Sequence, residues 1–191
     1  MLDTSKIIEI RWHGRGGQGV VTSAELVAQA AISEGKYAQA FPSFGPERRG
    51  APVAAFVRIS AKEPIRVRSE ILSPDVVVVF EARLIETANV LAGLKENGIL
   101  ILNTNEPVSE LEKTLGNRIE LATVDASKIA LETLGVPIVN TTMVGAMVKA
   151  TGVINLESLV EPLRHRFGRI ADRNVEAMKR AFSETVIKAR V

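Results

Sequence analysis

The sequence predicts an α/β fold: a Rossmann-like, largely parallel sheet with helices on both faces, an antiparallel hairpin addition and a helical C-terminal third. Three observations carry this. Gly14-Arg15-Gly16-Gly17-Gln18-Gly19 follows, after His13, on the apolar run Ile7-Ile8-Glu9-Ile10-Arg11-Trp12, so a strand enters a glycine turn and a helix leaves it. Val76 to Phe80 is a continuous apolar run rich in β-branched residues, the pattern of a strand buried on both faces. Strand and helix patterns then alternate as far as Pro137, the order that gives a parallel sheet covered on both sides.

Element by element, the first strand covers Ile7–Trp12. A helix from Gly19 to Glu34 carries Val20, Ala24, Val27, Ala28 and Ala31 at helical spacing, and Gly35 ends it. Tyr37–Phe41 is a second strand, and Pro42 to Pro52 is a loop rich in Gly, Pro and Arg. Val53–Ser60 is a third strand, expected to pair with Ile65–Arg68 through a turn at Ala61–Pro64. After the Val76–Phe80 strand come a helix over Leu84–Lys95, strands at Gly98–Asn103 and Ile119–Val124, and a short helix at Ser127–Leu134. Beyond Pro137 strand signals stop, and Thr141–Ala150, Leu156–Phe167 and Asn174–Ala189 read as helices. There is no repeat and no low-complexity linker, so residues 1–191 are expected to form a single domain.

Composition removes several classes of chemistry. The 191 residues include no cysteine, which excludes disulfides, thiol catalysis and cysteine-held zinc or iron–sulfur clusters from this chain. His13 and His165 lie far apart and form no metal-ligand pattern, so no metal site is expected. A formal charge of +2 gives no general case for nucleic acid. No signal-peptide pattern follows the N-terminal residues, and no apolar run approaches the roughly 20 residues that span a bilayer. The expected location is cytoplasmic, with no membrane contact.

The glycine turn fits the G-x-G-x-x-G dinucleotide spacing, which raises an NAD(P)-dependent dehydrogenase as one reading. That reading wants an acid at the end of the second strand to hold the ribose, and Tyr37-Ala38-Gln39-Ala40-Phe41 has none. As plain structure, Gly14 would allow the turn, Gly16 close helix–strand packing and Gly19 entry into the helix. Gly17 is superfluous for packing, and Gln18 stands where a side chain can face a ligand or a neighbour. Arg48 and Arg49, in the loop after the second strand, suit phosphates or carboxylates, or else an ion pair with Glu47 or a partner. Asn140-Thr141-Thr142 opens a helix; Asn140 is either its N-cap or, with Thr141, a ligand contact at a helix N-terminus. His13 is a phosphate donor or a buried, hydrogen-bonded histidine. Glu81 caps a helix or lends polarity to a site. Arg164, His165, Arg166, Arg169 and Arg173 form a solvated or subunit-facing surface.

Three segments carry a family resemblance: WHGRGGQGVVTSAELVAQAA at 12–31, GKYAQAFPSFGPERRGAPVAAFVRIS at 35–60 and VNTTMVGAMVKATG at 139–152. Together they resemble the gamma subunit of the 2-oxoacid:ferredoxin oxidoreductases, above all the pyruvate and 2-oxoisovalerate branch. FGPERRGAP is the most specific stretch. The resemblance implies a complex with alpha, beta and delta subunits that uses thiamine diphosphate, Mg2+, 4Fe–4S clusters and coenzyme A and passes electrons to ferredoxin. It implies no catalytic residue in this chain, which would be inactive alone. The residues expected to touch coenzyme A are Gly14, Arg15, Gly16, Gly17, Gln18, Gly19, Arg48, Arg49, Asn140 and Thr141. The alternatives are the dehydrogenase and a non-catalytic scaffold that binds no ligand.

Overall fold

The computed structural model describes residues 2, 4–43, 50–116 and 119–189. Seven strands form one sheet in the order β2-β3-β1-β4-β5-β6-β7. β1 (Ile8–Arg15), β4 (Val76–Val79), β5 (Ile99–Asn103) and β6 (Glu120–Val124) are parallel and central. β3 (Pro52–Ser60) runs antiparallel to β1, and β2 (Tyr37–Pro42) antiparallel to β3. At the far edge β7 (Val186–Lys188) lies antiparallel to β6.

All four valines of β4 are fully buried, which is why that run shows no alternation. The even members point one way and the odd members the other. Val76 and Val78 join Ile10, Trp12, Ile99 and Ile101 under α1 (Val20–Ser33), α5 (Asn140–Thr151) and α7 (Ala171–Glu184). Val77 and Val79 join Leu100, Leu102 and Leu111 under α2 (Leu84–Thr87) and α3 (Val108–Leu115). α4 (Ala126–Leu134) and α6 (Val160–Phe167) complete the first face. Small residues let the helices approach closely. At Gly145 an added Cβ would run into the Met178 carbonyl of α7.

The α/β class, the mostly parallel sheet and the helical C-terminal region match the sequence expectation. Four local expectations do not. Val53–Ser60 pairs with Tyr37–Pro42, not with Ile65–Arg68, which forms no strand. The reason is Arg58: its Nη1 donates to the Val67 and Ser69 carbonyls, which lays that segment across the face of the sheet. The helix expected over Leu84–Lys95 stops at Thr87. Asn89 and Gly93 take positive φ there, and the Val90 and Ala92 carbonyls turn to Arg11. The last helix ends at Glu184 rather than Ala189, because Thr185 is extended and Val186–Lys188 joins the sheet. α3 had no counterpart in the sequence reading, although Val108, Leu111 and Leu115 give it a short apolar stripe.

Candidate functional site

The parallel strands all end on one edge of the sheet, and sequence places a polar residue at each exit. Arg15 closes β1, Glu81 follows β4 by two residues, Asn103 closes β5 and Asp125 follows β6. β1 connects outward through α1 to β2, while β4 and its successors build the sheet in the other direction. The strand order therefore reverses between β1 and β4, and that is where an open α/β sheet forms its ligand crevice. A cleft of about 520 Å3 lies at this edge, lined by Gln18, Glu81, Arg83, Asn103, Asp125 and Ser127 among others.

The glycine turn forms the β1 side of the cleft. Gly14 still belongs to β1, and its role is close packing: an added Cβ would stand 2.5 Å from Val20 Cγ2 and 2.9 Å from Gln18 Oε1. Positive φ falls at Gly17 (96°) and Gly19 (83°), not at Gly14 or Gly16. The roles expected from sequence are thus redistributed: Gly14 does the packing, and Gly17 with Gly19 makes the turn. Gln18 folds back to accept the Arg15 backbone N–H at 2.7 Å through Oε1 and still lines the cleft. Arg15 Nε donates to Glu81 Oε2 at 2.9 Å, which ties the turn to the end of β4. Glu81 is therefore the polarity of the site, its carboxylate held by an arginine.

Gly50 and Ala51, the described residues just before β3, meet the turn here. Gly16 N–H donates to the Ala51 carbonyl (2.9 Å), Gly50 N–H to the Gly16 carbonyl (3.2 Å), and Arg15 Nη1 to the Gly50 carbonyl (3.2 Å). Arg48 and Arg49 themselves lie outside the described residues.

Asn140 and Thr141 stand on the other side of the turn, inside the protein. Asn140 is the first residue of α5, and its side chain packs so closely on Gly19 that a Cβ there would stand 2.8 Å from Asn140 Nδ2. Its Oδ1 accepts the Thr141 N–H at 2.8 Å, and its carbonyl accepts from Ser23 Oγ of α1. Thr141 is fully buried and donates to Asn174 Oδ1 of α7. Neither residue lines the cleft. Their effect is to bring the N-termini of α1 and α5 together, with no acidic residue in the first turn of either. At the turn itself the N-terminus of α1, free of acidic residues, makes this half of the site attractive to anions.

The other half, with Glu81, Glu106 and Asp125, is acidic. Asn103 braces it: Nδ2 donates to the Phe80 carbonyl and Ser127 Oγ, and Oδ1 accepts the Ser127 N–H. Sequence reading passed over Asn103, Asp125 and Ser127. The signal was a polar residue directly after each apolar strand. His13, one residue before Gly14, is held neutral with a pKa lowered to about 4 by burial and, second, by the neighbouring Arg11 charge. It accepts from Arg11 Nε at 2.9 Å, which makes it the half-buried, hydrogen-bonded histidine rather than a phosphate donor. In the Arg164–Arg173 cluster Arg164 pairs with Glu161, and Arg166 reaches Thr22 and Glu25. Among the described residues no three His, Asp or Glu side chains converge to hold a metal, and no helix is long and apolar enough to cross a membrane.

The family model described as pyruvate ferredoxin/flavodoxin oxidoreductase matches residues 9–184. The chain belongs to this family. A curated relative, the "pyruvate/ketoisovalerate oxidoreductases common subunit gamma" of Pyrococcus abyssi, is 54% identical over 95% of this chain and 98% of its own. The "pyruvate synthase subunit PorC" of Methanothermobacter thermautotrophicus is 47% identical over 97% of this chain and 99% of its own. Among solved structures, the pyruvate oxidoreductase subunit PORC of Thermotoga maritima superposes with a TM-score of 0.85, at 38% identity, over 96% of this chain and 99% of that one. The family fits the gamma-subunit expectation and neither alternative. Topology explains why the dinucleotide reading fails: antiparallel β3 separates β2 from β1. Two strand spacings of about 4.8 Å put the end of β2 out of position for a ribose-holding acid.

Proposed function

We propose that this chain is the gamma subunit of a pyruvate or 2-oxoisovalerate:ferredoxin oxidoreductase, that all 191 residues act as one domain, and that its glycine turn and arginine loop hold the phosphates of coenzyme A. In such a complex thiamine diphosphate with Mg2+ supplies the chemistry of decarboxylation, and 4Fe–4S clusters carry electrons to ferredoxin. This chain has no cysteine, and its described residues offer no cluster of metal ligands, so its residues do not fit those groups. They belong to alpha, beta and delta partners in a cytoplasmic complex, and no chemical step is assigned to this chain.

The observation that carries the coenzyme A reading is the pair of backbone hydrogen bonds joining Gly50 and Ala51 to Gly16. They hold Gly50 and Ala51, which follow Arg48 and Arg49 in sequence, against the glycine turn. The acidic side, with Asn103 and Ser127, then offers acceptors to the amide and amino groups of the same ligand. Gly14 to Gly19 shape the turn, while Asn140 and Thr141 set the two helix ends behind it.

The test is kinetic. In the reconstituted complex Arg49→Ala or Arg48→Ala should raise the Michaelis constant for coenzyme A roughly ten- to a hundredfold, the loss of one charge-assisted hydrogen bond, and leave that for pyruvate nearly unchanged. Unchanged coenzyme A kinetics in an intact complex would overturn the ligand reading. The purified chain alone should be colourless and inactive on 2-oxoacids; oxidation of pyruvate by this chain alone would overturn the subunit reading.

A further inference from the structure

β2 is the outer strand of the sheet. Its hydrogen-bonding sense follows from one contact. Ser43 N–H donates to the Ala54 carbonyl at 2.8 Å, which continues the β2–β3 register by one residue. In an antiparallel ladder bonded pairs alternate, so Tyr37, Gln39 and Phe41 spend their backbone groups on β3. The N–H and C=O groups of Ala38 and Ala40, and the C=O of Pro42, point outward. No described backbone group meets them. Natural sheets protect such edges with short strands or charges. The opposite edge does so, since β7 has three residues and ends in Lys188. β2 carries no formal charge from Tyr37 to Pro42.

We propose that the β2 edge is an interface between two copies of this chain, paired antiparallel about a two-fold axis through Gln39. The edge is its own electrostatic complement. With Ala38 set against Ala40 of the second copy, each free N–H faces a free carbonyl, and four hydrogen bonds form. Gln39 then faces its own copy in the non-bonded position, where side chains stand closest. Gln39 Oε1 is shielded from solvent and has no hydrogen-bond partner among the described residues. A rotation of either side chain across the two-fold brings the two amides together, Oε1 to NH2. Beside the strand a cleft of about 470 Å3 is lined by Ile32, Tyr37, Gln39, Pro64 and Ile65. Ile32 and Tyr37 are 56% and 45% exposed there, an apolar margin that pairing would cover.

The absence of cysteine makes the test direct. Gln39→Cys, introduced into the full chain, would be its sole thiol. Across a non-bonded antiparallel pair the Cα atoms stand about 4.5 Å apart, within disulfide reach. Mild oxidation should give a reducible dimer on a gel, while Val186→Cys on the β7 edge should not link under the same conditions. By sedimentation equilibrium the unmodified chain should dimerise. Ala40→Pro removes an outward N–H from each copy, leaves the internal ladder intact and should raise the dimer dissociation constant roughly ten- to a hundredfold. Gln39→Lys, which sets two ammonium groups face to face, should do the same, with circular dichroism confirming the fold of both variants. A monomeric chain at micromolar concentration, a dimer unmoved by both substitutions, or linkage of the Gln39→Cys thiol to a different subunit in the assembled complex would each overturn the proposal.

Discussion

Along β1 the even-numbered side chains and the odd-numbered ones meet opposite surroundings. Ile8, Ile10 and Trp12 sink into the core beneath α1 and α5. Glu9, Arg11, His13 and Arg15, on the other face, form a polar row. Glu9 pairs with Arg58 of β3 at 2.9 Å. Arg11 is buried with no carboxylate partner among the described residues; it donates to His13 and to the Ile71, Val90 and Ala92 carbonyls, and burial lowers its pKa. Arg15 pairs with Glu81 at the cleft. One face stabilises by excluding water. The other anchors two irregular segments, 61–75 and 88–95, and its last member reaches the site. A central strand can thus serve as core on one side and as a rack for loops on the other.

The largest effect belongs to the apolar face. Trp12 is fully buried with its ring edge-on to Phe80, centroids 6.1 Å apart. Trp12→Ala should cost about 3–5 kcal/mol in urea unfolding, through lost burial and the cavity left behind. Trp12→Phe sharpens the point. Trp12 Nε1 is buried with no hydrogen-bond partner among the described residues, so removing that N–H offsets part of the lost packing, and the cost should stay within about 1.5 kcal/mol. A larger loss would mean that the indole nitrogen has an acceptor.

The same contrast governs what could be read from sequence. The apolar face, β4, β5 and the glycine turn follow from hydrophobic pattern and from glycine, both local signals. The polar face is set by distant partners. Arg58 holds the Val67 and Ser69 carbonyls, and Arg11 those of Ile71, Val90 and Ala92, up to 81 residues away, contacts that no local pattern announces. Those bonds turned two expected regular elements, at Ile65–Arg68 and in the second half of Leu84–Lys95, into irregular cover. In the site, Arg15, Gln18 and Glu81 were legible because they sit at a strand exit. The interior placement of Asn140 and Thr141 was not, because it depends on Gly19 and Asn174.

Next in size is a pH effect at His13. Its folded pKa of about 4 lies below the unfolded value near 6.5, so the unfolded chain binds the extra proton between them. The stabilisation from neutral His13 is therefore full above about pH 6.5 and is lost as pH falls toward 4, up to about 3 kcal/mol in all. His13→Gln keeps an acceptor for Arg11 without titrating. Comparing urea midpoints of the two proteins at about pH 7.5 and about pH 4.5 should show a smaller acid loss in the variant. Equal acid losses would remove His13 from the account. Arg11→Met should follow, at roughly 1–3 kcal/mol, because it leaves the three carbonyls without their donor. Hydrogen exchange should quicken in 71–75 and 88–95 before the sheet; uniform exchange would show that Arg11 does not hold those segments.

The smallest effect on stability should come from Arg15, where the polar row reaches the site. Arg15 and Glu81 are each about a third exposed at 32% and 29%, so solvent screens their ion pair. Arg15→Gln should shift stability by less than about 1 kcal/mol. The guanidinium also holds the turn to the end of β4 and faces the proposed phosphate position, so its loss should be visible in coenzyme A binding. The Michaelis constant for coenzyme A should rise several-fold in the assembled complex, while that for the 2-oxoacid stays in place. The opposite pattern, a chain destabilised by several kcal/mol with coenzyme A kinetics unchanged, would make Arg15 one more anchor like Arg11. The boundary between rack and site on β1 would then lie beyond the strand, at Gly17 and Gln18.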